Sequence, residues 1–144
     1  MQSIFTRCVA GTVLSIGAAF VGAAGAAYAQ SADFAVRILS VECIETTTGP
    51  ARDDVYLEFS TGERFPHRSS DSITMDSGDV WNPNATVRAT DSVQVTVWEL
   101  DDVGSDDEIG SFVVYADDDD GRYTEELSGD GSDYEVTYEI AHRR

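Results

Sequence analysis

Residues 92–101 read Ser92-Val93-Gln94-Val95-Thr96-Val97-Trp98-Glu99-Leu100-Asp101, and this stretch decides the fold. Val93, Val95 and Val97 alternate with Gln94, Thr96 and Trp98. Successive side chains of a β-strand point to opposite faces, so a period of two marks a half-buried strand with its valines inside. The same period recurs on both sides. Phe34, Val36 and Ile38 alternate, and the run continues through Leu39, Val41 and Cys43 after a slip of phase. Val55, Leu57 and Phe59 alternate with Tyr56 and Glu58, and Thr61-Gly62 then turns the chain into Glu63-Arg64-Phe65 as a hairpin. Ile109 to Tyr115 and Arg122 to Leu127 are shorter strands, and Tyr134, Val136, Tyr138 and Ile140 close the domain. No helical period is present. Gly, Ser, Asp and Asn cluster between the runs, with Asp130-Gly131 as another hairpin turn. The spacing predicts an all-β fold, an antiparallel β-sandwich of about eight strands if Ile73–Met75 and Ala85–Ala89 each contribute one. The region 66–84, with Pro66, Trp81 and Pro83, reads mostly as loop.

The first 29 residues follow a different rule. Arg7 is their only charged side chain, an uncharged Ala-, Gly- and Val-rich stretch begins at Cys8, and Ala27-Tyr28-Ala29 forms an A-x-A end. A positive start, an apolar middle and small residues at the end describe a secretory signal peptide, cleaved after Ala29. The expectation is a secreted or periplasmic protein whose residues 30–144 form one domain. Its two cysteines agree: Cys8 leaves with the signal, and Cys43 stands alone in an apolar run as a small buried hydrophobe.

The 144 residues hold 27 acids and nine basic side chains, all Arg, for a formal charge of −18. Loss of residues 1–29 removes one Arg and no acid, so the charge becomes −19. Such a field repels phosphate backbones and anionic surfaces, which excludes nucleic acid and unaided membrane attraction. The acids are concentrated at loops. Glu99 and Asp101 share the parity of Val93, Val95 and Val97, so they extend the strand's inward face beyond the apolar core. Asp102, Asp106, Asp107 and Glu108 follow at once, and Asp53-Asp54 precedes the Val55–Phe59 run. Carboxylates directed inward beside one another either take up protons or gather round a cation. A hard cation with several oxygen ligands, Ca²⁺, suits them.

Val97 to Gly110, V-W-E-L-D-D-V-G-S-D-D-E-I-G, resembles the third calcium loop of the C2 domain family, and Asp53 to Phe59, D-D-V-Y-L-E-F, resembles that family's first-loop segment. The resemblance spans about residues 33–141 and implies a calcium-binding β-sandwich. It assigns metal-ligand positions to Asp54, Glu99, Asp101 and Asp107, with the loop's glycine at Gly110. Two departures narrow the implication to one ion. Glu99 stands where the family has Asp, and the other first-loop acid falls on Thr48, with Glu45 as a substitute. The remaining Asp102, Asp106 and Glu108 read as facing water. A Lys-free chain also lacks the basic sheet face that many members use for phosphoinositides.

Other motifs carry less. Asp117–Asp120 with Gly121 fails the EF-hand template, because Ala116 and Leu127 occupy its first and last ligand positions. Trp98 is opposite in parity to the valines, while His67 and His142 read as loop and tail residues. Asn84-Ala85-Thr86 is a glycosylation sequon. No G-x-S-x-G, no H-E-x-x-H and no Cys–His pairing appears, so the chain reads as a binding module and not an enzyme. Two alternatives stay open beside a structural calcium module: metal-independent protein or carbohydrate binding, and calcium-bridged phospholipid binding with Val103 as the apolar tip residue.

Overall fold

The computed structural model describes residues 33–46 and 52–143. The signal segment and Thr48 therefore lie outside the described residues. Ten strands form two antiparallel sheets: β1 (Phe34–Glu45), β2 (Asp53–Phe59), β3 (Arg64–Phe65), β4 (Ile73–Met75), β5 (Val80–Trp81), β6 (Ala85–Ala89), β7 (Ser92–Glu99), β8 (Asp107–Tyr115), β9 (Gly121–Gly129) and β10 (Ser132–His142). The first sheet runs β5-β1-β10-β9, and β6 also pairs with β1. The second runs β3-β2-β7-β8, and β4 also pairs with β2.

Each sheet thus has one divided edge. β6 pairs with the Phe34–Ile38 half of β1, and β5 with Val41 and Glu42. β4 pairs with Asp53–Val55 of β2, and β3 with Leu57 and Glu58. Short pieces leave little continuous edge for another chain to pair with. The strand count exceeds the expected eight because β3 and β5 have two residues each, and β5 lies in the region read as loop.

The core is the set of inward positions that the alternation marks. Val93, Val95 and Val97 are fully buried, as are Val36, Ile38, Val41 and Cys43. The phase slip in β1 is a bulge: the register with β10 shifts between Ile38 and Ser40. The extra residue keeps Val41 and Cys43 inside, where an unbroken alternation would turn them out. Two tight turns use backbone that favours glycine. Gly62 has φ 97° in the β2–β3 turn, and Asp130 and Gly131 have φ 50° and 78° in the β9–β10 turn. Positive φ at both central residues gives a two-residue hairpin a twist that matches its strands.

The sheets close against each other where β8 meets β9. A Cβ at Gly129 would lie 2.2 Å from the Ile109 carbonyl oxygen, and one at Gly110 would lie 3.0 Å from Leu127 Cβ. The glycine at the end of the acidic loop, Gly110, therefore packs tightly against Leu127. Gly129→Ala must force the two strands apart and is expected to cost about 3 kcal/mol, the upper end for overpacking. At Gly104 a Cβ meets open space and only the φ of 119° opposes it, so Gly104→Ala should cost about 1 kcal/mol. Urea midpoints of the two variants check the order.

Candidate functional site

One end of the sandwich gathers the acids, and strand parity determines how. Glu99 continues the inward line of Val93, Val95 and Val97 at the end of β7. It pairs with Val55 of β2 on one side and with Asp107 of β8 on the other. Two residues before Val55, Asp53 continues the inward line of β2 and is fully buried. Its Oδ2 accepts hydrogen bonds from Ser132 Oγ and Tyr134 Oη, each at 2.8 Å. Both donors belong to β10, so this carboxylate ties the second sheet to the first.

The charges here act on one another. The Glu99 carboxyl is pushed up to about 7 by burial first, then by the charges of Asp53, Asp101, Asp130 and Asp107. Asp101 is raised as well, by desolvation, by the charge of Asp107 and by a side-chain hydrogen bond with it. Like charges directly opposite on neighbouring strands repel, and a proton held on Glu99 or between Asp101 and Asp107 relieves that repulsion.

The outer face of the second sheet braces the same loop. Asp106 Oδ2 accepts the Tyr56 hydroxyl at 2.7 Å, and its Oδ1 accepts the Asp101 backbone N–H at 3.2 Å. Tyr56 stacks on Trp98 with ring centroids 6.4 Å apart, and the Arg64 guanidinium lies 3.5 Å above the Tyr56 ring. Arg64 is fixed in turn by donating to the carbonyls of Pro66, Arg68 and Asp71. At the tip, Gly104 makes the left-handed turn and Val103 is 92% exposed.

Of the four expected ligands, Glu99, Asp101 and Asp107 lie at one tip, where their charges act on one another. Asp54 lies at the same end but on the outer face of β2, where its Oδ1 accepts Thr74 Oγ1 at 2.5 Å and its carbonyl accepts the Leu100 N–H. Asp53 takes the inward position, and its parity with Val55, Leu57 and Phe59 was the available signal. Asp106, read as facing water, is a brace, and Asp130 joins the cluster's field from the β9–β10 turn. No sequence pattern marks either role, because both depend on which loops meet. The donors are hard oxygens suited to Ca²⁺. Among the described residues, however, no three His, Cys, Asp or Glu stand close enough to hold a metal ion without rearranging.

No family model and no curated protein matches the sequence. Solved structures do match the fold. A C2 domain of plant extended synaptotagmin 1 is 14% identical with a TM-score of 0.51, over 79% of this chain and 95% of that one. Human GIVD cytosolic phospholipase A2 is 19% identical with a TM-score of 0.51, over 77% of this chain. The fold is that of a C2 domain. This chain covers 16% of the phospholipase, so the likeness there is to one part of a larger protein.

The raised Glu99 sets a pH dependence. A carboxyl raised from 4.5 to about 7 keeps, in the folded chain, a proton that the unfolded chain has released. Stability therefore falls as pH rises from about 4.5 to about 7 and levels off above. Glu99→Gln should flatten this slope and stabilise the chain at pH 8 by about 1–2 kcal/mol after allowance for solvent screening. Urea unfolding at pH 5 and pH 8 measures both effects.

Proposed function

We propose that this chain is an exported C2-like module that binds one calcium ion weakly at its acidic end and serves a structural or interaction role outside the cytoplasm. The export reading rests on residues 1–29: Arg7, an uncharged stretch and the Ala27-Tyr28-Ala29 end. The observation that carries the calcium reading is the placement of Glu99 directly opposite Asp107, with Asp101 in the field of Asp107 and Asp53 buried beside them. A divalent cation replaces the proton as the means of relieving their repulsion. Glu99, Asp101 and Asp107 supply the side-chain oxygens, while Asp54 Oδ1 is held by Thr74. Drawing unassembled ligands together costs ordering entropy, which puts the affinity near the millimolar range of extracellular calcium modules.

At calcium tenfold to a hundredfold over its dissociation constant, mass action adds about 1.4–2.7 kcal/mol. The purified protein should melt several degrees higher in millimolar CaCl₂ than in EDTA, and NaCl at equal ionic strength should not reproduce the shift. Asp101→Asn combined with Asp107→Asn should abolish it. Equal melting temperatures in calcium and EDTA would sink the proposal. Because Glu99 is partly protonated at pH 7, calcium binding there should also release protons, which calorimetry in buffers of different ionisation enthalpy detects.

A metal-independent protein- or carbohydrate-binding role is the second reading. It is favoured by a recess of about 200 Å³ on the outer face of the second sheet, lined by Glu58, Phe59, Ser60, Gln94, Thr96 and Trp98. Among the described residues, the buried indole N–H of Trp98 has no hydrogen-bond partner. A glycan-array signal that survives EDTA and is lost in Trp98→Ala would select this reading over calcium.

A further inference from the structure

The opposite end of the sandwich carries a histidine whose surroundings fix its charge. His142 ends β10. Its Nδ1 lies 2.6 Å from Asp120 Oδ1, and its Nε2 lies 2.9 Å from the Ala116 carbonyl oxygen. The same Oδ1 accepts the His142 backbone N–H at 2.8 Å. A carbonyl and an ionised carboxylate can only accept. Both ring contacts are therefore hydrogen bonds only when both ring nitrogens carry protons. A neutral imidazole, in either tautomer, must turn a lone pair toward an oxygen at one of the two.

We propose that His142, Asp120 and the Ala116 carbonyl form a pH-operated clasp that fastens the turn between β8 and β9 to the closing strand, shut on the imidazolium and open on the neutral ring. The turn is a natural thing to fasten. It passes from the second sheet to the first and carries four consecutive acids, Asp117 to Asp120. The groups facing His142 are mostly acidic or neutral. Asp120 and Asp119 lie on the turn and hold the proton on the ring, while the Phe34 ring of β1 stacks on it at 5.9 Å. Asp118 is occupied by the Tyr115 N–H. The nearby cation Arg143 follows His142 and lies 3.8 Å from Asp33. Burial alone would lower the imidazole, but the hydrogen bonds to Asp120 and Ala116 outweigh it, so the group lies above 6.5. The clasp therefore contributes fully below about 6.5, and its contribution is lost as pH rises through the raised folded value.

The test uses the full chain. NMR of the imidazole nitrogens follows His142, with the His67 signals assigned from a His67→Gln sample. Both nitrogens should be protonated at pH 6.5, and the titration midpoint should lie above 6.5. Amide exchange at residues 116–120 and at His142, corrected for base catalysis, should speed by tenfold or more across that midpoint. Asp120→Asn should lower the midpoint and remove the step in exchange. A midpoint at or below 6.5 overturns the proposal, as does a step in exchange that persists in Asp120→Asn. The titration of the unsubstituted protein decides the matter if the variant does not fold.

Discussion

A single buried carboxylate holds the acidic end in place. Asp53 has no solvent exposure, yet it sits at the start of a strand whose neighbours on that face are Val55, Leu57 and Phe59. Removing a charge from water costs several kcal/mol, so a buried pair or network is weak evidence of net stability. Its consequence is positional. Ser132 and Tyr134 satisfy the carboxylate from the other sheet, and substitution of Asp53 removes the acceptor that both buried hydroxyls share. The bonds fix the start of β10 against the start of β2, and they hold a negative charge where the next inward residue of β7 is Glu99. The raised Glu99 follows from that arrangement, and so does the local demand for a proton or a cation.

The tip loop is held from the other side of the same sheet. Asp106 accepts Tyr56 and the Asp101 N–H, Tyr56 lies between Trp98 and the Arg64 guanidinium, and Arg64 is locked by three carbonyls. This chain of contacts runs from the 66–71 loop to the acidic tip without using the inward carboxylates. The backbone of the tip is positioned before any ion arrives, while Glu99, Asp101 and Asp107 remain free to adjust. Under the calcium proposal an ion has these side chains to gather, so carboxylate repulsion and rotamer entropy would govern its affinity.

How much of this was legible depends on the range of the interactions. Period-two alternation marked β1, β2, β7 and β10, and the phase slip at Leu39 marked the bulge, because burial of one face is a local demand on sequence. β5 was not legible: a two-residue strand is specified by Val41 and Glu42 across the gap, not by Val80 and Trp81 themselves. The acidic end was legible where parity carried it, at Glu99 and Asp101. In β2 the family resemblance pointed to Asp54, which bonds Thr74, while the strand's own alternation marked Asp53 as the inward, buried acid. Asp106, Asp130 and His142 were opaque, since each acts across a turn whose partner lies far along the chain.

The two ends respond to protons in the same direction for opposite reasons. At one end, ionisation of Glu99 adds a charge to a crowded carboxylate cluster. At the other, loss of a proton from His142 removes the charge that offsets Asp119 and Asp120. Both make the folded state weaker as pH rises, Glu99 between about 4.5 and 7 and His142 above about 6.5. They differ in what can compensate. A cation relieves the first, because the fault there is excess negative charge among oxygens that can ligate. It does little for the second, where the two acceptors need N–H donors in fixed positions and a metal ion would compete with the imidazole itself. β10 joins the two ends, from Ser132 beside Asp53 to His142 beside Asp120, so the strand that closes the fold carries one anchor insensitive to the imidazole and one governed by it.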